Sequence, residues 1–81
     1  RGIGDTHLEA ETIWLNGRAY GELGRLAKAE ELLTLSLEMV RDVGDRDDEF
    51  RVLTDLARLK NTAQDYGSAL TLAEDAIVIA T

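Results

Sequence analysis

Two stretches of matching pattern decide the fold of this chain: LAKAEELLTLSLEMV at residues 26–40 and YGSALTLAEDAIVIA at residues 66–80. In the first stretch, small or apolar residues recur at spacings of three and four: Leu26, Ala29, Leu33, Ser36 and Val40. In the second stretch, the matching positions hold Tyr66, Ala69, Ala73, Ala76 and Ala80. This spacing places side chains on one face of an α-helix. The pattern therefore predicts two equivalent helices, each with one buried stripe.

Residues outside these two stretches also recur at the same offset, the one that separates position 26 from position 66. Gly4-Asp5 returns as Gly44-Asp45, and Arg18 returns as Arg58. Repeats of about 20 to 50 residues are typical of stacked supersecondary units rather than of an enzyme built around one pocket. The repeat therefore predicts a binding function and does not identify the partner.

Length and composition indicate one small helical domain. The chain has 81 residues, of which 44% are apolar and 31% are charged, and it contains no proline. A chain of this length buries only about 60% of its unfolded surface, so its stability is marginal. Few aromatic residues and abundant Ala, Leu, Glu and Arg favour helix throughout.

The net charge of −7 argues against nucleic acid and against anionic lipid as partners, because both are bound through Lys and Arg. The absence of cysteine excludes disulfides and thiolate metal sites. The longest apolar run, residues 76–80, is too short to span a membrane, and no signal-like segment is visible at Arg1. We therefore expect a cytoplasmic protein without a cofactor, cut from a longer chain.

Glycines and capping residues predict where four helices begin and end. Asp5 or Thr6 would cap the first helix, with Glu9 completing a capping box, and the helix would end near residues 21–24. The second helix would run from about Arg25 to Val43 and end at Gly44, and Asp45 would cap the third. A break at residues 64–65 would start the fourth helix, over residues 66–81. Short connections then force antiparallel hairpins.

The small and large residues of these helices resemble the tetratricopeptide repeat. The first repeat supplies Ile13, Gly17, Tyr20, Gly24, Ala29, Leu33 and Ser36, and the second supplies Leu53, Leu56, Ala57, Tyr66, Ala69, Ala73 and Ala76. The resemblance implies an all-α fold of two hairpins, residues 4–43 and 44–81, stacked as part of a right-handed superhelix. It also implies that Gly17/Ala57 and Ala29/Ala69 allow close helix approach, while Tyr20 and Tyr66 fill gaps between hairpins.

Three departures from the usual repeat are visible. The period of about 40 exceeds the common period of about 34 and resembles a longer, Gly-Asp-punctuated type of the repeat. Asn16 stands where Leu is usual, and Lys60 stands where Tyr is usual. Lys60 could extend its charge outward along the helix surface.

The resemblance implies a partner-binding groove lined by the first helix of each hairpin. The positions that would face it are Trp14, Arg18 and Gly21 in the first repeat and Thr54, Arg58 and Asn61 in the second. Two arginines in register could bind a carboxylate or an acidic peptide. An alternative is ordinary helix ion pairs, of Arg18 with Glu22 and of Arg58 with Asp55. Trp14 could equally be a core residue.

Residues for catalysis or metal binding are sparse. His7 is expected to be an exposed first-turn residue, and the buried Ser36 hydroxyl is expected to bond its own backbone. The acidic run at residues 42–49 fails the calcium-loop template, because Phe50 and Leu56 occupy the positions that require Gly and Glu. Helix capping explains the run, and no enzyme is expected.

The fourth helix is apolar on several faces, including Leu70, Ile77 and Val78. A terminal repeat needs a polar outer cap. Either a further hairpin follows in a longer chain, or this surface pairs with a second copy and gives a homodimer. The sequence thus predicts an interaction scaffold for a protein or peptide partner. Two alternatives are a regulatory segment of a larger signalling ATPase or transcription regulator, and a homo-oligomerisation module.

Overall fold

A computed structural model describes the backbone of residues 3–80 and the side chains of residues 6–79. Four helices follow one another, α1 (Ile3–Glu22), α2 (Leu26–Val43), α3 (Arg46–Thr62) and α4 (Tyr66–Ala80). No strand occurs within residues 3–80. The all-α class and the four predicted helices are therefore confirmed.

The predicted start of the first helix is wrong. Because α1 already begins at Ile3, Asp5 and Thr6 lie inside the helix and do not cap it. Gly4, Asp5 and Thr6 are all weak helix formers, yet the helix begins before them.

The turn between α2 and α3 has the caps that its Gly-Asp pair predicts. Gly44 has a φ of 74°, in the left-handed region, and its N–H donates to the Arg41 carbonyl at 3.1 Å. The Asp45 carboxylate accepts from the backbone N–H of Asp48 at 3.0 Å, as an N-cap does. One residue thus ends α2 and the next begins α3.

The turns inside the two hairpins share a backbone conformation but not a residue. Gly24 has a φ of 81°, and Gln64, at the equivalent position of the second hairpin, has a φ of 64°. A left-handed φ is favourable for glycine and strained for glutamine. The connections of a few residues make α1 and α2, and α3 and α4, antiparallel neighbours.

The core lies where α1 packs on α2, α2 on α3 and α3 on α4. The direct contact between α1 and α3 is small. The buried apolar residues of the core come from every helix: Ala10, Ala29, Leu33, Leu37, Val40, Val52, Leu53, Leu56, Leu59 and Ala76. The third helix therefore packs against two neighbours, α2 and α4.

Close approach of α1 and α2 explains Gly17 and corrects the prediction for Ser36. A Cβ at Gly17 would lie 3.0 Å from the Leu33 side chain, so a larger residue there would have to displace Leu33. The fully buried Ser36 hydroxyl donates to the Ala10 carbonyl of α1 at 2.9 Å, and not to its own helix as predicted. The short distance between the helices brings an α1 carbonyl within reach of this hydroxyl.

The two tyrosines do not have equivalent roles. Tyr20 packs against the core. Tyr66, predicted to fill a gap between hairpins, is 63% exposed. It begins α4 with its side chain turned to solvent, so within the described residues it fills no gap between the two hairpins.

Candidate partner-binding groove between α1 and α3

The groove lies between α1 and α3, and it consists of two adjoining clefts. The deeper cleft has a volume of about 150 Å³ and is lined by Gly17, Gly21 and Leu59 among others. The wider one has a volume of about 270 Å³. Both clefts are lined by Arg18, Asp55 and Arg58. The surface is therefore continuous along α1 and α3.

Asp55 is the centre of this groove. Its side chain is only 13% exposed, and the Trp14 Nε1–H donates a hydrogen bond to its Oδ2. The same Oδ2 lies 3.6 Å from Arg18 Nε, and Oδ1 lies 3.8 Å from Arg58 Nη1. One carboxylate thus ties an indole and two guanidinium groups from two helices together.

Trp14 combines the two roles that the sequence left open. Its ring packs against the hydrophobic core, while its Nε1 faces the groove and bonds Asp55. The Arg18 guanidinium carbon lies 5.6 Å from the ring centroid, within the range of a cation–π contact. The Arg18 guanidinium group is therefore held by two contacts, one with the indole ring of Trp14 and one with the Asp55 carboxylate.

Most of the residues predicted to face the groove line the wider cleft: Trp14, Arg18, Thr54 and Arg58. Asn61 is exposed but lines neither cleft, and Gly21 lines the deeper one. The ion pair of Arg58 with Asp55 is confirmed. Arg18 contacts Asp55 across the groove.

The sequence reasoning missed three residues of the wider cleft, Phe50, Arg51 and Asp55 as a shared partner. The spacing of residues 51, 54 and 58 places them on one face of α3, so this signal was available. With three arginines and one aspartate, the wider cleft carries an excess of two positive charges. The whole chain has a net charge of −7, so the wider cleft is a positive surface on an acidic protein, whereas the deeper cleft balances Arg18 and Arg58 with Glu22 and Asp55.

A second polar cluster joins α1 to the start of α3. His7 Nδ1 lies 3.2 Å from Asp45 Oδ2 and 3.4 Å from Asp48 Oδ2. Burial and the neighbouring Asp45 raise the pKa of Asp48, while His7 and Arg51 act in the opposite direction. His7 was predicted to be an exposed first-turn residue, but it is half-exposed and contacts the other hairpin.

Among the residues whose side chains the structure describes, these three form the group that could hold a metal ion. Their candidate ligand atoms lie within 4.8 Å of one another. The His7 contacts and the cap at Asp48 N–H already account for the atoms involved. The cluster is therefore explained as a contact between the hairpins.

Between residues 3 and 80, no helix combines the length and the apolar character that crossing a membrane requires.

Comparison with known proteins gives one match. The family model described as tetratricopeptide repeat matches residues 8–81. No curated protein and no solved structure gave a significant match. The matched range covers α1 from Leu8 onward, all of α2, α3 and α4, and every residue of the groove.

Proposed function

The chain belongs to the tetratricopeptide repeat family, a family of protein–protein interaction modules, and we propose that its groove between α1 and α3 binds an acidic peptide segment of a partner protein. The observation that carries this proposal is the pair of Arg18 and Arg58 around the shared Asp55 carboxylate, with Arg51 lining the same cleft. A surface with this charge attracts anionic side chains and repels basic ones.

The arginines have donors left over for a ligand. Each guanidinium group carries five N–H donors, and the contacts of Arg18 and Arg58 to Asp55 each involve a single nitrogen. The Arg18 and Arg58 side chains are 43% and 72% exposed, so these donors face solvent. A ligand carboxylate could bind either guanidinium bidentately, which gives stronger and more directional hydrogen bonds than a neutral acceptor.

Neighbouring side chains define what accompanies the carboxylate. Trp14 and Phe50 supply apolar surface on the two sides of the wider cleft, and Phe50 is 39% exposed. Thr54 also lines this cleft, and its hydroxyl donates to the Phe50 carbonyl at 2.9 Å. We therefore propose a ligand with an acidic residue next to an apolar or aromatic one.

Further features belong to the same proposal. The cap at Gly44 and Asp45 supports the longer, Gly-Asp-punctuated type of repeat, with hairpins at residues 4–43 and 44–81. The role is that of a non-enzymatic scaffold in the cytoplasm, and its partner is a protein rather than nucleic acid or membrane.

The test is the double charge reversal Arg18→Glu with Arg58→Glu. Acidic and basic fluorescent peptides from one library, with an aromatic residue at a fixed position, are titrated by fluorescence polarisation. We expect acidic peptides to bind the unmodified chain, with an affinity that falls as salt rises. The double variant should weaken this binding at least about tenfold, because charge-assisted hydrogen bonds are each worth about 1.5–3 kcal/mol.

The matched control is Arg25→Glu with Arg46→Glu, which changes the net charge equally at two exposed arginines outside both clefts. This control should leave most of the affinity intact. Unchanged peptide binding by the groove variant, with its helical circular dichroism retained, would refute the proposed groove.

A further inference from the structure

The deeper cleft of the groove has an apolar floor and a polar rim. Its buried lining residues carry no polar side-chain atom: Gly17, Leu33 and Leu59. Its exposed lining residues are all polar: Arg18, Glu22, Arg58 and Thr62. Small-molecule and side-chain sites commonly have this form, because the floor buries an apolar group while polar groups at the edge fix its orientation. The deeper cleft is therefore suited to an apolar group that enters between charged residues.

The rim gives a charged group no reason to enter the deeper cleft. Its two arginines are balanced by two acids, and Arg18 Nε and Arg58 Nη1 lie 3.6 and 3.8 Å from the oxygens of Asp55. The Thr62 hydroxyl already donates to the Arg58 carbonyl at 3.1 Å. A charged group at the floor would lose its water and gain no polar partner there, which costs free energy. The floor therefore favours an uncharged apolar side chain.

Gly21 is the residue that keeps the deeper cleft open. A Cβ at this position would lie 3.7 Å from the Leu59 side chain and 3.8 Å from that of Ala29, which are ordinary contact distances, and its φ is not left-handed. At Gly17, a Cβ would lie 3.0 Å from Leu33. Helix packing thus restricts position 17 but not position 21, where glycine lowers helix stability relative to alanine. Because Leu59 is a wall of the cleft, a longer side chain at position 21 would occupy this space.

The volume of the deeper cleft limits the side chain that it accepts. A protein cavity of about 150 Å³ holds one benzene ring. The deeper cleft has a volume of about 150 Å³. Leucine and phenylalanine match this size, whereas the two fused rings of tryptophan exceed it. We propose that the deeper cleft binds one leucine or phenylalanine side chain of the acidic peptide, and that Gly21 determines this specificity.

This proposal rests on the proposed function, because the peptide that binds Arg18 and Arg58 supplies the side chain. Both arginines line both clefts, so a carboxylate bound there lies at the mouth of the deeper one. On α3, the wider cleft extends over residues 50–58 and the deeper one over residues 55–62. At 1.5 Å per residue, their centres are about 7 Å apart. Side chains two residues apart on an extended peptide are separated by about 7 Å and lie on the same side. The apolar residue is therefore expected two positions from the acidic one.

The test uses fluorescein-labelled acidic peptides that differ at one position. They carry alanine, leucine, phenylalanine or tryptophan two residues before or two residues after the acidic residue, and their affinities for the 81-residue chain are measured by fluorescence polarisation. In one of the two placements, the leucine and phenylalanine peptides should bind at least about tenfold more tightly than the alanine peptide, because they bury apolar surface that alanine lacks. The tryptophan peptide should bind more weakly than the phenylalanine peptide.

The variant Gly21→Leu should remove this preference. Its side chain occupies the cleft, so the phenylalanine peptide should lose at least about tenfold in affinity and bind no better than the alanine peptide. Gly21→Ala should raise the urea midpoint of unfolding, because alanine is a better helix former and its Cβ makes ordinary contacts. It should weaken the phenylalanine peptide less than Gly21→Leu does.

The matched control is Gly67→Leu. It also replaces a helical glycine by leucine, at a position in α4 where a Cβ would meet nothing within 4 Å and which lines neither cleft of the groove. This control should retain the preference for phenylalanine over alanine. Circular dichroism checks that all variants keep their helices.

A second measurement does not depend on the affinity of any peptide. Phenylacetate, a single ring with a carboxylate, is titrated into the chain while the leucine methyl groups are followed by NMR. The ring should shift the methyl resonances of Leu33 and Leu59, which form the floor of the cleft. These shifts should be absent in Gly21→Leu.

Equal affinities for the alanine, leucine and phenylalanine peptides in both placements would overturn the proposal and leave acidic-peptide binding in place. A preference for phenylalanine that persists in Gly21→Leu would also overturn it. If no acidic peptide binds, the proposed function fails, and the phenylacetate titration decides the cleft alone. Shifts at Leu33 and Leu59 would then support a pocket for an apolar ring, and their absence would overturn it.

Discussion

The third helix makes two contacts of opposite character with the first hairpin. Towards α2 it buries apolar side chains, and ion pairs of Lys60 with Glu30 and of Arg41 with Glu49 lie at the edge of this contact. Towards α1 it presents Asp48 and Asp55, which meet a histidine, an indole and a guanidinium group. The apolar side holds the hairpins together, and the polar side leaves an open groove.

Equivalent positions of the two hairpins show that this polarity is specific to the second one. Asp48 and Asp55 correspond to Leu8 and Leu15 of α1. Both leucines are exposed, whereas the side chains of the aspartates are only 17% and 13% exposed. Apolar burial has no preferred direction, but hydrogen bonds and ion pairs do. The aspartates can therefore orient groove side chains that a leucine could not.

The largest effect is expected on the apolar side. Leu56 is 3% exposed between α2 and α3, and Leu56→Ala should lower the free energy of unfolding by about 2–5 kcal/mol. Urea unfolding followed by circular dichroism measures this loss. Leu15→Ala, at an exposed position, is the control and should change stability by less than about 0.5 kcal/mol. If both variants lost the same unfolding free energy, the apolar contact between α2 and α3 would not be what holds the hairpins together.

A smaller effect is expected on the polar side, at the centre of the groove. Asp55→Asn keeps the shape of the side chain but removes its charge, so the contacts to Arg18 and Arg58 weaken. We expect a loss of about 1–2 kcal/mol in unfolding free energy. Trp14 is the one tryptophan of the chain, so its fluorescence emission should report the change next to its Nε1.

The control for this variant is Asp47→Asn, which removes an exposed charge from the same helix. It should leave the emission of Trp14 unchanged. If Asp55→Asn also leaves the emission and the stability unchanged, Asp55 does not organise the groove.

Local patterns were sufficient to predict the helices and most of their ends. Gly44 and Asp45 determine the turn between α2 and α3 through backbone conformation and one side-chain hydrogen bond. Both effects involve residues close together in the sequence, so a short stretch is enough to predict them. The buried stripe of α2 was equally easy to predict, because the spacing of its apolar residues alone identifies Ala29 and Leu33 as buried. Fold class followed from these two kinds of signal.

The centre of the groove was harder to predict from the sequence, because it depends on contacts between residues that are distant in the chain. Asp55 was predicted to pair with Arg58, one turn away on the same helix, and that pair exists. Its bonds to Trp14 and Arg18 arise only when α1 approaches α3 in the folded chain. The Ser36 bond to Ala10 was missed for the same reason, since it joins two different helices.

The smallest effect, and one of opposite sign, is expected at Asp48. Because burial and Asp45 raise the pKa of this carboxyl above its ordinary value of 3.8, its ionised form is less favourable in the folded than in the unfolded chain. The ionised group therefore costs stability at neutral pH, and the cost disappears as pH falls below 3.8. Asp48→Asn should raise stability at pH 7 by less than about 0.5 kcal/mol and change nothing at pH 3.

Thermal unfolding at both pH values measures this difference, with Asp47→Asn as the matched control. Asp47 is exposed in the same helical turn, where a negative charge favours the helix N-terminus. Its removal should lower stability slightly at pH 7, so the two neutralisations should have opposite signs. If Asp48→Asn is destabilising at pH 7, its contacts to His7 and Arg51 outweigh the burial of the charge. The polar side of α3 would then hold the hairpins together as the apolar side does.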